Sequence, residues 1–511
     1  MKNAFRNSFF VIVSQVILIV FGFFSQRVMN LRMGEELVGM NSVIANILAL
    51  MSVTELGVST AVVFHLYEAL DSKDEKKIAA LINLYRKAYY VFAAVIAALG
   101  LCILPFVHIF LKKNSFTLPY IRTVFLLWLI RTVVSYLFSY KRSIIIADQK
   151  EYVITIGLLL ANATNYMIII VILEVYRDFV LALSLNILVE CILNLWISGY
   201  VNKKYTYLKT YRKHPLDKGI IQKIVDDIKN IFITKLSLKL LVSTDNLIIS
   251  SFISVGIMGL YSNYCMITQS LINIVTALSA TIQPTIGNMF IEKNHDKNFN
   301  VLRQLTFVFY VIASFSTVSL ITLMTPFVAD VWLNPSYTLD SSIIVCSATS
   351  FFVQTLGLPL MMMLGVTGLF KKERNLCVAV ALVNLVVSLA LVQYIGVAGV
   401  IIGTILSYTI QMIICIKLLV KGYMQKSIGV FVGDVLQYVA LTIGELLLVT
   451  LYKLHFYDSQ SIISFALLMA VCVVVPNGVN LLVYHRSWRF QSVWRMIKNM
   501  VQKQDVTEGK E

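Results

Sequence analysis

The sequence predicts an all-α polytopic membrane protein of about 14 transmembrane helices. The arrangement it implies is two parallel six-helix bundles plus two C-terminal helices, with both termini in the cytoplasm. Three observations carry this prediction. First, 58% of the 511 residues are hydrophobic and 14% are charged, where a soluble chain carries about 25% charged residues. Second, apolar runs of ~20 residues, each long enough for a ~30 Å hydrocarbon core, recur along the whole chain. They are continuous, without the alternation of a β-barrel strand. Third, the basic residues are distributed unevenly between the segments that connect those runs.

The runs begin near Phe9, Leu37, Tyr90, Tyr120, Tyr152, Phe179, Ile231, Gly256, Leu305, Ser342, Leu376, Ala398, Val432 and Ile462. The first, to Met29, follows a short basic start with Lys2 and Arg6. It is too long for the apolar core of a signal peptide and lacks an A-x-A site, so it reads as a retained span. The second and eighth runs exceed the length a span requires, and Gly57 marks a break in the second. Pro284, Pro326 and Pro359 fall within later runs and mark bends. With the N-terminus inside, 32 of the 43 Lys and Arg residues fall in cytoplasmic segments and 7 in outer ones. The remaining 4, Arg131, Lys229, Lys235 and Lys239, lie within spans or at their inner edge. This bias sets the orientation and requires an even number of spans. It also accounts for the net charge of +16 without nucleic acid.

Residues 201–223 form the longest basic segment, a cytoplasmic connection between residues 1–200 and 224–425, each expected to form a six-helix bundle. Two further spans fill 426–490, and 491–511 form a tail. Short similarities relate the halves. Arg6-Asn7-Ser8-Phe9 parallels Lys229-Asn230-Ile231-Phe232, and Val38-Gly39-Met40-Asn41-Ser42 parallels Met258-Gly259-Leu260-Tyr261-Ser262. Six spans separate the equivalents, so both halves would insert the same way, as parallel repeats.

The chemistry of enzymes is missing from the sequence. There is no phosphate-binding G-x-x-x-x-G-K-[ST], no H-E-x-x-H and no G-x-S-x-G. The seven cysteines sit in or beside apolar runs without a C-x-x-C pair, and the six histidines form no ligand cluster. No metal or cofactor is expected. Outer loops are too short for a domain, which argues for transport over catalysis.

Charges inside spans are the informative feature, because each costs about 2.5–3.5 kcal/mol at a helix centre. Lys235 and Lys239 stand four residues apart on one face of the seventh span. Arg131 is near the middle of the fourth, and Arg27 is near the outer end of the first. Four cations from three spans, lining one wet cavity, would attract an anionic head group such as a pyrophosphate. The plainer reading is internal pairing with Glu55, Glu190 or Asp245, with Lys235 and Arg27 snorkelling to the interfaces. Ser243-Thr244-Asp245-Asn246 would bind a cation, cap a helix break or hydrogen-bond neighbouring helices. Glu55 with Gly57 would pair a cavity cation or form a gating hinge. Arg131, Lys239, Lys235 and Arg27 are therefore the substrate-binding candidates. Glu55, Gly57, Glu190, Asp245 and Asn246 are the candidates for gating or ion coupling.

At four places the chain resembles bacterial polysaccharide flippases of the multidrug/oligosaccharidyl-lipid/polysaccharide exporter superfamily. These are Glu55-Leu56-Gly57-Val58-Ser59-Thr60-Ala61 with His65-Leu66-Tyr67; Ser139-Tyr140-Lys141-Arg142-Ser143 with Ala147-Asp148-Gln149-Lys150; Ser243-Thr244-Asp245-Asn246; and Gly259-Leu260-Tyr261-Ser262-Asn263-Tyr264. The resemblance covers most of the chain and is weakest after about Gly422. It implies two bundles around a central cavity that alternates its access, in a bacterial plasma membrane. The substrate it implies is an undecaprenyl-pyrophosphate-linked oligosaccharide moved to the outer leaflet. Proton or sodium coupling is compatible with it. Membrane lipids and the glycan polymerase and glycosyltransferases of the same pathway are the implied partners. A lipid II flippase and an ion-coupled multidrug antiporter are the alternatives. The antiporter reading lacks its usual acidic residue, because the first span offers Ser14, Gln15, Gln26 and Arg27 but no carboxylate.

Overall fold

The computed structural model describes residues 2–52, 58–211, 214–290, 294–367, 369–459 and 461–495. Every regular element described is helical. In chain order these are α1 (Lys2–Met51), α2 (Val58–Asp71), α3 (Glu75–Ile103), α4 (Leu118–Ser139), α5 (Arg142–Ala147), α6 (Glu151–Val175), α7 (Phe179–Lys204) and α8 (Tyr207–Thr210). They continue with α9 (Lys218–Phe252), α10 (Val255–Phe290), α11 (His295–Pro326), α12 (Ser341–Val366), α13 (Phe370–Ile416), α14 (Ile428–Phe456) and α15 (Ile462–Tyr484).

Eleven helical segments among the described residues are long and apolar enough to cross a membrane. Two of these are broken. α1 turns at Gly34, where φ is +81°, and α13 turns at Ile395 and Gly396, where φ of Gly396 is +60°. Positive φ is accessible to glycine at little cost because it has no Cβ. Each broken helix therefore holds two spans. α9, whose apolar stretch carries the three charged residues Lys235, Lys239 and Asp245, is not among the eleven, although its sequence reads as a span. With the two broken helices counted as two spans each, and α9 taken as a span, the described helices accommodate the fourteen expected, and the chain is a multi-pass helical membrane protein. Its lipid-facing surface is visible in the exposure of large apolar side chains along the spans, among them Leu454, Ile462 and Leu482 at 75%, 81% and 75%. In water such surface would be a liability; against lipid it is neutral.

The helices start where side chains can satisfy free backbone N–H groups. Asp74 accepts from Lys77 N at α3, Asp178 from Val180 N and Leu181 N at α7, and Asn294 from Lys297 N at α11. Such caps stabilise a helix start by about 1 kcal/mol each.

The chain forms two compact units, Met1–Asn263 with Val392–Gly396, and Tyr264–Leu391 with Val397–Glu511. In the first, α1 packs along α6, α6 on α7, α7 on α4 and α4 on α3, while α9 lies against α1 and α2. In the second, α11 is the hub, in contact with α12, α14 and α15. Polar groups tie this hub together. The Tyr310 and Tyr438 rings stack at 4.1 Å, the Tyr310 hydroxyl donates to Asn480 Oδ1 at 2.7 Å, and Ser314 donates to buried Glu445. Asp434 accepts from Arg303 Nε at 2.6 Å and from Arg489 Nη2 at 2.8 Å. One carboxylate thus serves two guanidinium groups, one from α11 and one from the segment after α15.

Candidate functional site

The cationic candidates that can be described all lie in the first unit. Arg131 is half-buried on α4, with its guanidinium 5.1 Å from the centre of the Trp128 ring one turn earlier. The ring is fixed in turn, because Trp128 Nε1 donates to Asn41 Oδ1 of α1 at 2.9 Å. A cation over an indole gains about 0.5–2 kcal/mol depending on its desolvation. Tyr166 of α6 and Glu190 of α7 are the electrostatic neighbours of Arg131. Arg131 itself forms no ion pair or guanidinium hydrogen bond among the described residues.

Glu190 is engaged elsewhere. Its Oε1 lies 3.5 Å from Arg142 Nη2 and accepts from Asn194 Nδ2 at 3.3 Å. Arg142 Nη2 also donates to Asn194 Oδ1 at 2.9 Å. Internal pairing thus describes Glu190, but its partner is Arg142, which stands in the Ser139–Ser143 motif.

Lys235 and Lys239 are half-buried on α9, and one helical turn puts both on the same face. Lys239 has no ion pair or hydrogen bond among the described residues. Asp245 and Asn246 are half-buried two turns further along, beside buried Ser243 and Ser250. Arg27 is half-buried on α1. That helix packs against both α4 and α9, and so is the common neighbour of the elements carrying Arg131 and the two lysines. Glu55 and Gly57 lie outside the described residues.

Two features near Arg27 were not legible in the sequence. Gln26 and Asn30 flank it and meet Asn263 in a buried cluster. Asn263 Oδ1 accepts from Gln26 Nε2 at 3.0 Å and from Asn30 Nδ2 at 2.8 Å, and its own Nδ2 donates to Asn30 Oδ1 at 3.2 Å. One turn away from Asn263 the backbones touch. A Cβ on Gly259 would stand 1.8 Å from the Glu35 carbonyl oxygen, and one on Gly39 would stand 2.0 Å from that of Val255. Gly39 and Gly259 are the equivalent glycines of the two similar stretches, and here they pack against each other. Two glycines at corresponding positions were the available signal; that they meet was not.

Comparison with solved structures places this fold. The lipid II flippase MurJ in an inward closed conformation is 16% identical, superposes with a TM-score of 0.63, and matches 93% of this chain and 99% of its own. A multidrug resistance MATE family transporter of the MOP superfamily, facing inward, is 12% identical with a TM-score of 0.64 over 85% of this chain and 98% of its own. A MOP superfamily transporter from Pyrococcus furiosus, described as having a binding pocket of reversed polarity, is 13% identical with a TM-score of 0.57, over 81% and 94%. The chain therefore has the fold of the MOP-superfamily transporters. No protein-family model matches the sequence, and no curated protein matches it.

Proposed function

We propose that this protein is a flippase that moves an undecaprenyl-pyrophosphate-linked oligosaccharide from the inner to the outer leaflet of a bacterial plasma membrane by alternating access. The observation that carries the reading is the pair of half-buried cations, Arg131 on α4 and Lys239 on α9, that form no ion pair among the described residues. Two half-buried positive charges suit a substrate whose head bears two phosphates, and they repel a cationic drug. The arginine, held on the Trp128 face, offers a fork for phosphate oxygens; the lysine adds a point charge. The glycine contact between α1 and α10 supports alternating access. On the orientation set by the basic residues it lies toward the outer face, where it would close that side.

Depletion of the protein in its host, with lectin or periodate access to the lipid-linked oligosaccharide in spheroplasts, tests the proposal. The expected result is accumulation on the inner side, rescued by wild type and not by Arg131→Gln or Lys239→Gln present at normal membrane levels. Lipid-linked oligosaccharide reaching the outer face without the protein would refute it. The likeness to a lipid II flippase over 99% of that chain favours a second reading, translocation of lipid II. The same assay on lipid II separates the two. An ion-coupled multidrug antiporter would instead show drug efflux with both leaflets normal.

A further inference from the structure

At the end of the first unit that carries the basic excess, expected to face the cytoplasm, α3, the α4–α5 turn, α7 and α8 enclose a cavity of about 230 Å³. Its polar lining is Arg86, Lys141 and Lys209 with Asn83, Tyr140 and Asn202, and no carboxylate lines it. Neighbouring cations on the same rim are neutralised in the ordinary way. Arg142 faces Glu190, and Lys150 and Lys204 both face Asp148. Arg86, Lys141 and Lys209 have no ion pair among the described residues.

Arg86 and Lys141 are nevertheless held in place. Arg86 Nη2 donates to Asn83 Oδ1 at 2.7 Å, while its Nε is buried without an acceptor. Lys141 Nζ donates to Ser198 Oγ and to Asn202 Oδ1, the latter at 3.2 Å. Burial, and then the charges of Lys209 and Arg86, push the Lys141 ammonium below its ordinary value, which is the mark of three cations that share one space. Like charges so placed repel unless an anion joins them. A guanidinium with an unused N–H, an ammonium and amide groups around a small cavity make a recognisable site for tetrahedral oxyanions.

We infer that this cavity binds a phosphate group, either inorganic phosphate or the phosphate ester of a lipid head at the inner leaflet. The inference stands apart from the translocation reading, since none of these residues belongs to the candidate translocation site. It is tested on full-length protein in neutral detergent by thermal unfolding. The titrants are sodium phosphate at constant ionic strength and, separately, short-chain phosphatidylglycerol or phosphatidylcholine. A saturable rise in the unfolding temperature with phosphate identifies the free ion as a ligand, and a rise with phosphatidylglycerol above phosphatidylcholine identifies the lipid head. The exposed Lys209→Gln change leaves the packing intact and is expected to weaken the ligand about tenfold. Arg86→Gln with Lys141→Gln is expected to abolish binding. No shift with sodium phosphate together with no excess of phosphatidylglycerol over phosphatidylcholine, or an unchanged affinity in Lys209→Gln, would overturn the assignment.

Discussion

Replacing Gly259 with alanine tests the contact between α1 and α10. The new Cβ would stand 1.8 Å from the Glu35 carbonyl oxygen, and Cβ atoms do not approach closer than 3.0 Å. The two helices must therefore separate by about 1.2 Å, because a helical carbonyl cannot move alone. That displacement stretches the 3.0 Å and 2.8 Å hydrogen bonds to Asn263 Oδ1 beyond useful length. Overpacking costs about 1–3 kcal/mol, and two lost buried hydrogen bonds add about 1 kcal/mol each. Alanine returns about 1 kcal/mol of helix propensity. The balance is about 2–4 kcal/mol against the arrangement observed, or roughly 30-fold to nearly a thousandfold in population. The assay is maleimide labelling, from the outer face of intact cells, of Ser262→Cys on a cysteine-free background. Ser262 is buried, so labelling is slow while the contact holds. Adding Gly259→Ala should raise the labelling rate at least tenfold. Equal rates with and without the alanine, in protein of equal abundance, would show that the backbones do not meet there, and the reasoning would fail.

Two further outcomes are expected. Asp434→Ala leaves Arg303 and Arg489 without their shared carboxylate, at a cost of about 3–5 kcal/mol, read as loss of folded protein in detergent. Replacing all three residues with apolar ones of similar size should restore most of the yield. Asp148 gives a pH dependence. Burial opposes its ionisation, but Lys150 and Tyr205 hydrogen-bond the carboxylate and Lys204 adds its charge, so its folded-state value is lowered. Its contribution is therefore complete above the ordinary carboxylate value near 4 and is lost only as the pH falls through the lower folded value. The gap in unfolding temperature between wild type and Asp148→Asn should hold from pH 8 to pH 5 and close only below about pH 4. Closure by pH 6 would contradict it.

The spans were legible because each is an apolar run with little to confuse it, and the lipid leaves the backbone no alternative to a helix. The joins were less legible. Gly34 and Gly396 let two spans run on as one bent helix, and a glycine in an apolar stretch does not say whether it packs, bends or ends a helix. The site was legible as residue types and not as partnerships. Glu190 and Arg131 both stood out as charges in spans, yet Glu190 contacts Arg142, at the end of a different helix. Asn30 and Asn263 are 233 residues apart, and nothing local to either names the other. Asp434 and Glu445 sit in the thirteenth apolar run, and the cost of an intramembrane carboxylate is the signal that would have singled them out.

The Arg303–Asp434–Arg489 junction also sets an order of assembly. Arg303 enters the membrane edge 131 residues before Asp434 is synthesised. At about 5–20 residues per second that is a wait of roughly 7 to 26 s with the arginine unmatched. Arg489 is made later still, after α15. The second unit thus cannot finish folding before the segment after α15 has been made. A chain cut within α15 would leave Asp434 with one guanidinium in place of two, exposed to the cell's membrane proteases as an incomplete product.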